Sequence, residues 1–109
     1  MATRRMTVGS AGESVAARFL ERRGATVVRR NLRFGSDEID LIARIRSTLV
    51  AVEVKTGIGA DSRPWENFDA AKRGRTRRAA RRLGIRRVDL ITVEFTRDRV
   101  TVRWLPESA

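Results

Sequence analysis

The stretch Asp37–Thr56, DEIDLIARIRSTLVAVEVKT, decides the fold, because it sets Asp40, Glu53 and Lys55 where a purely structural chain would carry apolar side chains. Read with a period of two, Val50, Val52 and Val54 line one face of a strand, and Leu49, Ala51, Glu53 and Lys55 line the other. A strand apolar on both sides is central and covered, and an ion buried there costs several kcal/mol unless it is paired. The preceding run, Glu38 to Arg44, alternates too, with Ile39, Leu41 and Ala43 against Glu38, Asp40 and Ile42. The two runs predict a hairpin. A loop of Arg46 and Ser47 sets Asp40 opposite Glu53 and Glu38 opposite Lys55, whereas a loop of Ile45 and Arg46 makes them diagonal neighbours.

Two carboxylates ~5 Å apart repel by about 3 kcal/mol at an effective dielectric near 20, so the pair calls for a cation. Lys55 supplies one charge. A hard divalent ion, Mg2+ or Mn2+, supplies two and prefers oxygen ligands. The stretch therefore reads as a metal clamp with a lysine beside it.

Working outward, the 109 residues contain no Cys and no His, which removes disulfides, thiolate chemistry, imidazole triads and zinc sites built on those residues. Carboxylate, lysine and hydroxyl chemistry remain. The length predicts one domain over 1–109, with 1–8 and 106–109 as flexible tails. No apolar run reaches the ~18 residues of a membrane span and the N-terminus has no signal-peptide core, so a cytoplasmic protein without membrane partners is expected. The formal net charge of +11 predicts a polyanion partner, nucleic acid, with DNA ahead of RNA. Of 24 basic residues only Lys55 and Lys72 are lysines, marking two positions where a compact ammonium replaces the chain's habitual arginine.

Upstream, Ser10-Ala-Gly-Glu13 matches a capping box opening a helix that stops near Arg23, with Gly24 beyond it. Glu13 borders the buried face of that helix; it either caps its own helix or aims a carboxylate at the metal. A short strand around Val27 and Val28 follows, and Phe34-Gly35-Ser36 turns the chain into the hairpin. Downstream, GIGADSR from Gly57 reads as a mobile glycine loop, Trp65 as a lid on the core or a stacking platform, and a second helix as running from Pro64 or Asn67 to Leu83. Phe68, Lys72, Thr76, Ala79, Ala80 and Leu83 make its inward stripe. Arg73, Arg77 and Arg81, with Arg78 and Arg82, form an outward basic ridge whose mutual repulsion phosphates would relieve. Arg87 to Thr96 and Arg99 to Leu105 are structural strands, and Asp89 and Glu94 are carboxylates without a constellation.

The helix ending in Gly24, the segment VVRRN, then DEIDLIA and VEVKT, then a helix bearing Lys72, together resemble the YraN-like family of the restriction-endonuclease-like superfamily over nearly the whole chain. That resemblance implies a restriction-endonuclease-like α/β core, a mixed sheet flanked by helices in the order α-β-β-β-α-β-β. It implies Asp40 and Glu53 as metal ligands, Lys55 as catalytic lysine, Glu13 as a helical glutamate joining the site, and Lys72 as a polar residue near it. Asp37 stands where that pattern has glycine, and Gly57 where a basic residue often follows Lys-Thr. The expected activity is metal-dependent phosphodiester hydrolysis, with Mg2+ or Mn2+ held by Asp40, Glu53 and Glu13 and by the Val54 carbonyl. Nucleic acid would lie along Arg73, Arg77, Arg78, Arg81 and Lys72. The alternatives are a nucleic-acid-binding module that kept the fold without catalysis, and a protein-interaction adaptor; a homodimer is left open.

Overall fold

The computed structural model describes residues 7–59 and 70–107, with backbone alone for 70–73. Two helices and five strands follow in the expected order: α1 Val8–Arg22, β1 Thr26–Phe34, β2 Asp37–Ile45, β3 Thr48–Ile58, α2 Ala70–Arg82, β4 Arg87–Phe95 and β5 Val100–Leu105. The strands lie in one sheet in sequence order, antiparallel except for the parallel pair β3–β4, which α2 connects. This is a mixed α/β fold.

The apolar residues of the sheet divide between its faces as the period of two requires. Leu41, Ala43, Val50, Val52, Val54, Ile91 and Val93 pack with Ala16, Ala17 and Leu20 of α1. Ile42, Ala51, Val88 and Leu90 pack with Ala79 and Ala80 of α2. One helix thus covers each face. The hairpin β2–β3 uses the two-residue loop Arg46-Ser47, with Ile45 opposite Thr48, so the even register holds.

Both helices stop by the same device. Gly24 and Gly84 adopt φ +87° and +71°, and each helix closes with paired bonds, Gly24 N–H to Glu21 and Ala25 N–H to Leu20, and Gly84 N–H to Arg81 and Ile85 N–H to Ala80. Glycine is required because the left-handed conformation penalises a Cβ. The start of α1 differs from expectation. Thr7, itself a good capping residue, accepts the Ser10 N–H at 3.0 Å, so the helix opens earlier and Ser10 lies inside its first turn. Glu13 is thereby released from the capping role.

Four other expectations are corrected. β1 is nine residues long and carries a bulge between Val27 and Arg29. β3 continues through Gly57 and Ile58, which pair with Glu94 and Phe95, so the glycine loop begins later. Leu83 is exposed because Gly84 turns the chain away before it reaches the core. Asp89 does have a constellation: fully buried, it receives both Arg87 guanidinium bonds at 3.0 Å, Trp104 Nε1–H at 2.8 Å and Glu107 N–H at 2.8 Å. This pins the turn at 106–107, read from sequence as part of a loose tail. Of the tail expected over 1–8, Thr7 and Val8 instead cap and begin α1; residues 1–6, the remainder of the glycine loop, Trp65 and the first turns proposed for the second helix lie outside the described residues.

Candidate metal and phosphate site

Asp40 sits where the sheet opens. The β2–β3 ladder runs from Ile45–Thr48 to Leu41–Val52 and goes no further. At the next step Asp40 Oδ2 accepts the Val54 N–H at 2.8 Å, replacing a backbone carbonyl with a carboxylate. On the other side, β1 pairs Arg30 with Leu41 and Leu32 with Ile39, while Asn31 between them takes a left-handed φ of +52°. Asparagine tolerates that conformation better than most residues with a side chain. The alternation of β2 breaks here too. Ile39 packs on the α2 side with Ile42, not with Leu41 and Ala43 as a regular strand would have it. The distortion leaves Asp40 bordering two clefts, one toward each helix.

The cleft on the α1 side, about 440 Å³, is lined by Glu13, Glu38, Asp40, Val54 and Lys55. Carboxylate oxygens of Glu13, Glu38 and Asp40 lie within 4.8 Å of one another, the one such acidic grouping among the described residues. Glu13 arrives because Gly12 lets α1 sit against β3. A Cβ at Gly12 would lie 3.1 Å from Thr56 Cβ and Cγ2 and collide with Thr56 Oγ1. Arg30 donates to Ser14 Oγ at 3.0 Å and fastens the same turn to β1. Burial raises the Glu13 pKa above the ordinary carboxylate value, the Asp40 charge raises it further, and a hydrogen bond with Asn31 opposes both. Such a group favours a cation beside it.

The smaller cleft, on the α2 side, holds Glu53 with Asp40, Glu38, Arg75 and Thr76. Glu53 is 1% exposed, and its Oε2 accepts from Thr76 Oγ1 at 3.1 Å. Asp40 therefore brings Glu53 and Lys55 into one locality, sharing a cleft with Glu53 on the α2 side and one with Lys55 on the α1 side. Glu38, which lines both clefts, joins Glu13 and Asp40 in the acidic trio. Its signal was present in the sequence, since it lies two residues from Asp40 on the same strand. Asn31 was missed because only the folded backbone reveals its unusual φ and its contact with Glu13. The Val54 carbonyl faces β2, because the N–H and C=O of one strand residue leave the strand on the same side.

The basic ridge is split. Arg78 donates to Asp37 Oδ1 at 3.3 and 3.2 Å, and Arg82 lies 3.8 Å from Oδ2, so these two side chains tie α2 to the start of β2. Arg78, expected to meet phosphate, instead neutralises a buried aspartate; sequence periodicity could not show which strand end the ridge overlies. Arg77 and Arg81 are exposed beside another cleft. The side chains of Lys72 and Arg73 lie outside the described residues.

The fold and site define a class: a small α/β protein with an acidic trio and a lysine at an opening between strands. The chain belongs to the uncharacterised protein family UPF0102, whose model matches residues 12–93. A UPF0102 protein of Syntrophotalea carbinolica is 38% identical over 105 residues, covering 94% of this chain and 84% of that protein. UPF0102 protein STH1475 of Symbiobacterium thermophilum is 50% identical over 74 residues, 67% of this chain and 63% of its own length. The aligned part likewise spans 60% of a Paenarthrobacter aurescens relative at 46% identity. Among solved structures, one described as "Crystal structure of SSO0001" aligns with 93% of this chain and 51% of its own at 18% identity and TM-score 0.44, a likeness too low to argue from. Among the described residues no helix is long and apolar enough to cross a membrane.

Proposed function

We propose that this UPF0102 protein is a metal-dependent nuclease with a restriction-endonuclease-like core, hydrolysing phosphodiester bonds of DNA, branched or single-stranded, or of RNA. The observation that carries the reading is the convergence of Glu13, Glu38 and Asp40 in a cleft that also contains Lys55. The donor set fits Mg2+ or Mn2+: all-oxygen, anionic, and mutually repulsive until a cation is present. Glu13, Glu38 and Asp40 would hold the ion, with Glu53 and the Val54 carbonyl bordering it. When bound, such an ion supplies Lewis acidity toward a phosphoryl oxygen and makes water a stronger acid.

The chain's own residues do the rest. Asp40, fixed by the Val54 N–H, keeps its carboxylate at the mouth of both clefts. Lys55 brings an ammonium to the same cleft, where it offsets charge developing on the phosphoryl oxygens. Thr76 holds Glu53 in the cleft it shares with Asp40, so a further carboxyl group borders the ion from the α2 side. Arginines at the surface hold phosphates without reading bases, so little sequence preference is expected.

A second reading, a nucleic-acid binder without catalysis, is favoured by one observation. The burial of Glu53 and its bond to Thr76 suit a structural role. Incubating the protein with single-stranded, duplex, flapped and branched DNA and with RNA, in Mg2+, Mn2+ or chelator, separates the two. The nuclease reading expects metal-dependent cleavage that Lys55→Ala and Asp40→Asn each lower by about 10²-fold or more. Binding without cleavage in either metal, or cleavage that survives both substitutions, overturns it.

A further inference from the structure

The opposite end of α2 carries a second constellation. A cleft of about 580 Å³ opens between the end of α2 and the start of β4, with Ile85 at its apolar floor and Arg77, Arg81, Arg86, Arg87 and Glu107 around it. Its charges are not equivalent. Arg87 is committed to buried Asp89 by a two-bond pair at 3.0 Å, and Glu107 lines the cleft together with Arg77, Arg81 and Arg86. All three are exposed, and among the described residues Arg81 and Arg86 form no ion pair. The helix C-terminus contributes a partial charge near −0.5, which three guanidinium groups outweigh.

We propose that this cleft is a second phosphate subsite, holding the backbone of a nucleic-acid strand that also passes the acidic site. The inference rests on the nucleic-acid reading above and adds Arg86, which that reading does not use. Distance supports it. Lys55 of the acidic site pairs with Thr92, and the cleft lies at Arg87, five residues back along β4, or ~17 Å. One strand of a duplex carries a phosphate about every 3.4 Å of axis, so the strand covers that span within about five nucleotides. Division of labour on α2 agrees. Asp37 takes Arg78 and Arg82 out of play, while Arg81, one residue before Arg82, turns to the cleft beside Arg86.

The test is binding of a short fluorescein-labelled single strand to the full chain in chelator, across a salt series. Arg81→Gln/Arg86→Gln is compared with Arg18→Gln/Arg22→Gln, a charge-matched pair of exposed arginines on α1. The cleft pair should flatten the log Kd against log salt slope by about 1.4, the value for two phosphate contacts on a single strand, while the α1 pair leaves it unchanged. Equal flattening by both pairs, or none by either, overturns the subsite in favour of a diffuse field. Inorganic phosphate at constant ionic strength should not displace the strand; displacement marks a small-anion pocket and overturns the strand assignment. Unchanged melting temperatures of both variants exclude unfolding as the cause. Because chelator removes metal chemistry, the two proposals fail separately. A chain that binds through this cleft and cuts nothing loses only the nuclease reading, and a chain that cuts but ignores Arg81 and Arg86 loses only the subsite.

Discussion

Glu13 is the residue whose energetics report most directly on the acidic trio. Burial and the neighbouring Asp40 raise its pKa, so ionised Glu13 weighs against the folded state at neutral pH. The native state binds its proton more tightly than the unfolded chain does. Stability from this group is therefore full below the ordinary carboxylate pKa and declines as pH rises through the raised value. Glu13→Gln should raise the melting temperature at pH 7, leave it nearly unchanged at acid pH, and flatten the pH profile between; calorimetric scans over pH check this. A divalent ion should remove the same penalty in the parent. Mn2+ at ~100 times its Kd should add about 2.7 kcal/mol, and Asp40→Asn should abolish the gain.

At the scale of elements, the account depends on how closely α1 approaches β3. Gly12→Ala puts a Cβ 3.1 Å from Thr56 Cβ and Cγ2, overpacking that costs about 1–3 kcal/mol in denaturant unfolding and shifts Glu13 away from Asp40. The variant should lose most of the Mn2+ stabilisation even where it remains folded. On the other edge, Asp89 joins β4, β5 and the following turn through Arg87, Trp104 and Glu107. Asp89→Ala leaves a half-buried guanidinium and an indole N–H without their partner, so a loss of about 1–3 kcal/mol is expected in urea titration. Strand periodicity made the hairpin, its Arg46-Ser47 loop and the neighbourhood of Asp40, Glu53 and Lys55 legible from sequence. It could not show that Asp40 breaks the alternation and diverts the Val54 N–H, because a carboxylate replacing a ladder bond is a tertiary event. For that reason periodicity alone does not gather Glu38 with Glu13 and Asp40. Asp89 escaped notice because its partners come from β5 and the turn after it.

Across the whole molecule, the sheet divides two tasks between its ends. Where β2 and β3 part, acidic side chains gather beside a lysine; where α2 ends and β4 begins, arginines gather around an apolar floor. On the proposed reading, a net charge of +11 would draw a polyanion toward both, and the acidic trio would spare one spot from that positive field for a cation. Strand binding should consequently weaken steeply with salt, whereas Mn2+ stabilisation should change far less, since a partly buried site is screened less than the surface. The most direct measurement is an anomalous difference map from a crystal grown with Mn2+. The account predicts one strong peak ligated by Glu13, Glu38 and Asp40, lost in Asp40→Asn; no peak at saturating Mn2+, or a peak that avoids those three carboxylates, would contradict it.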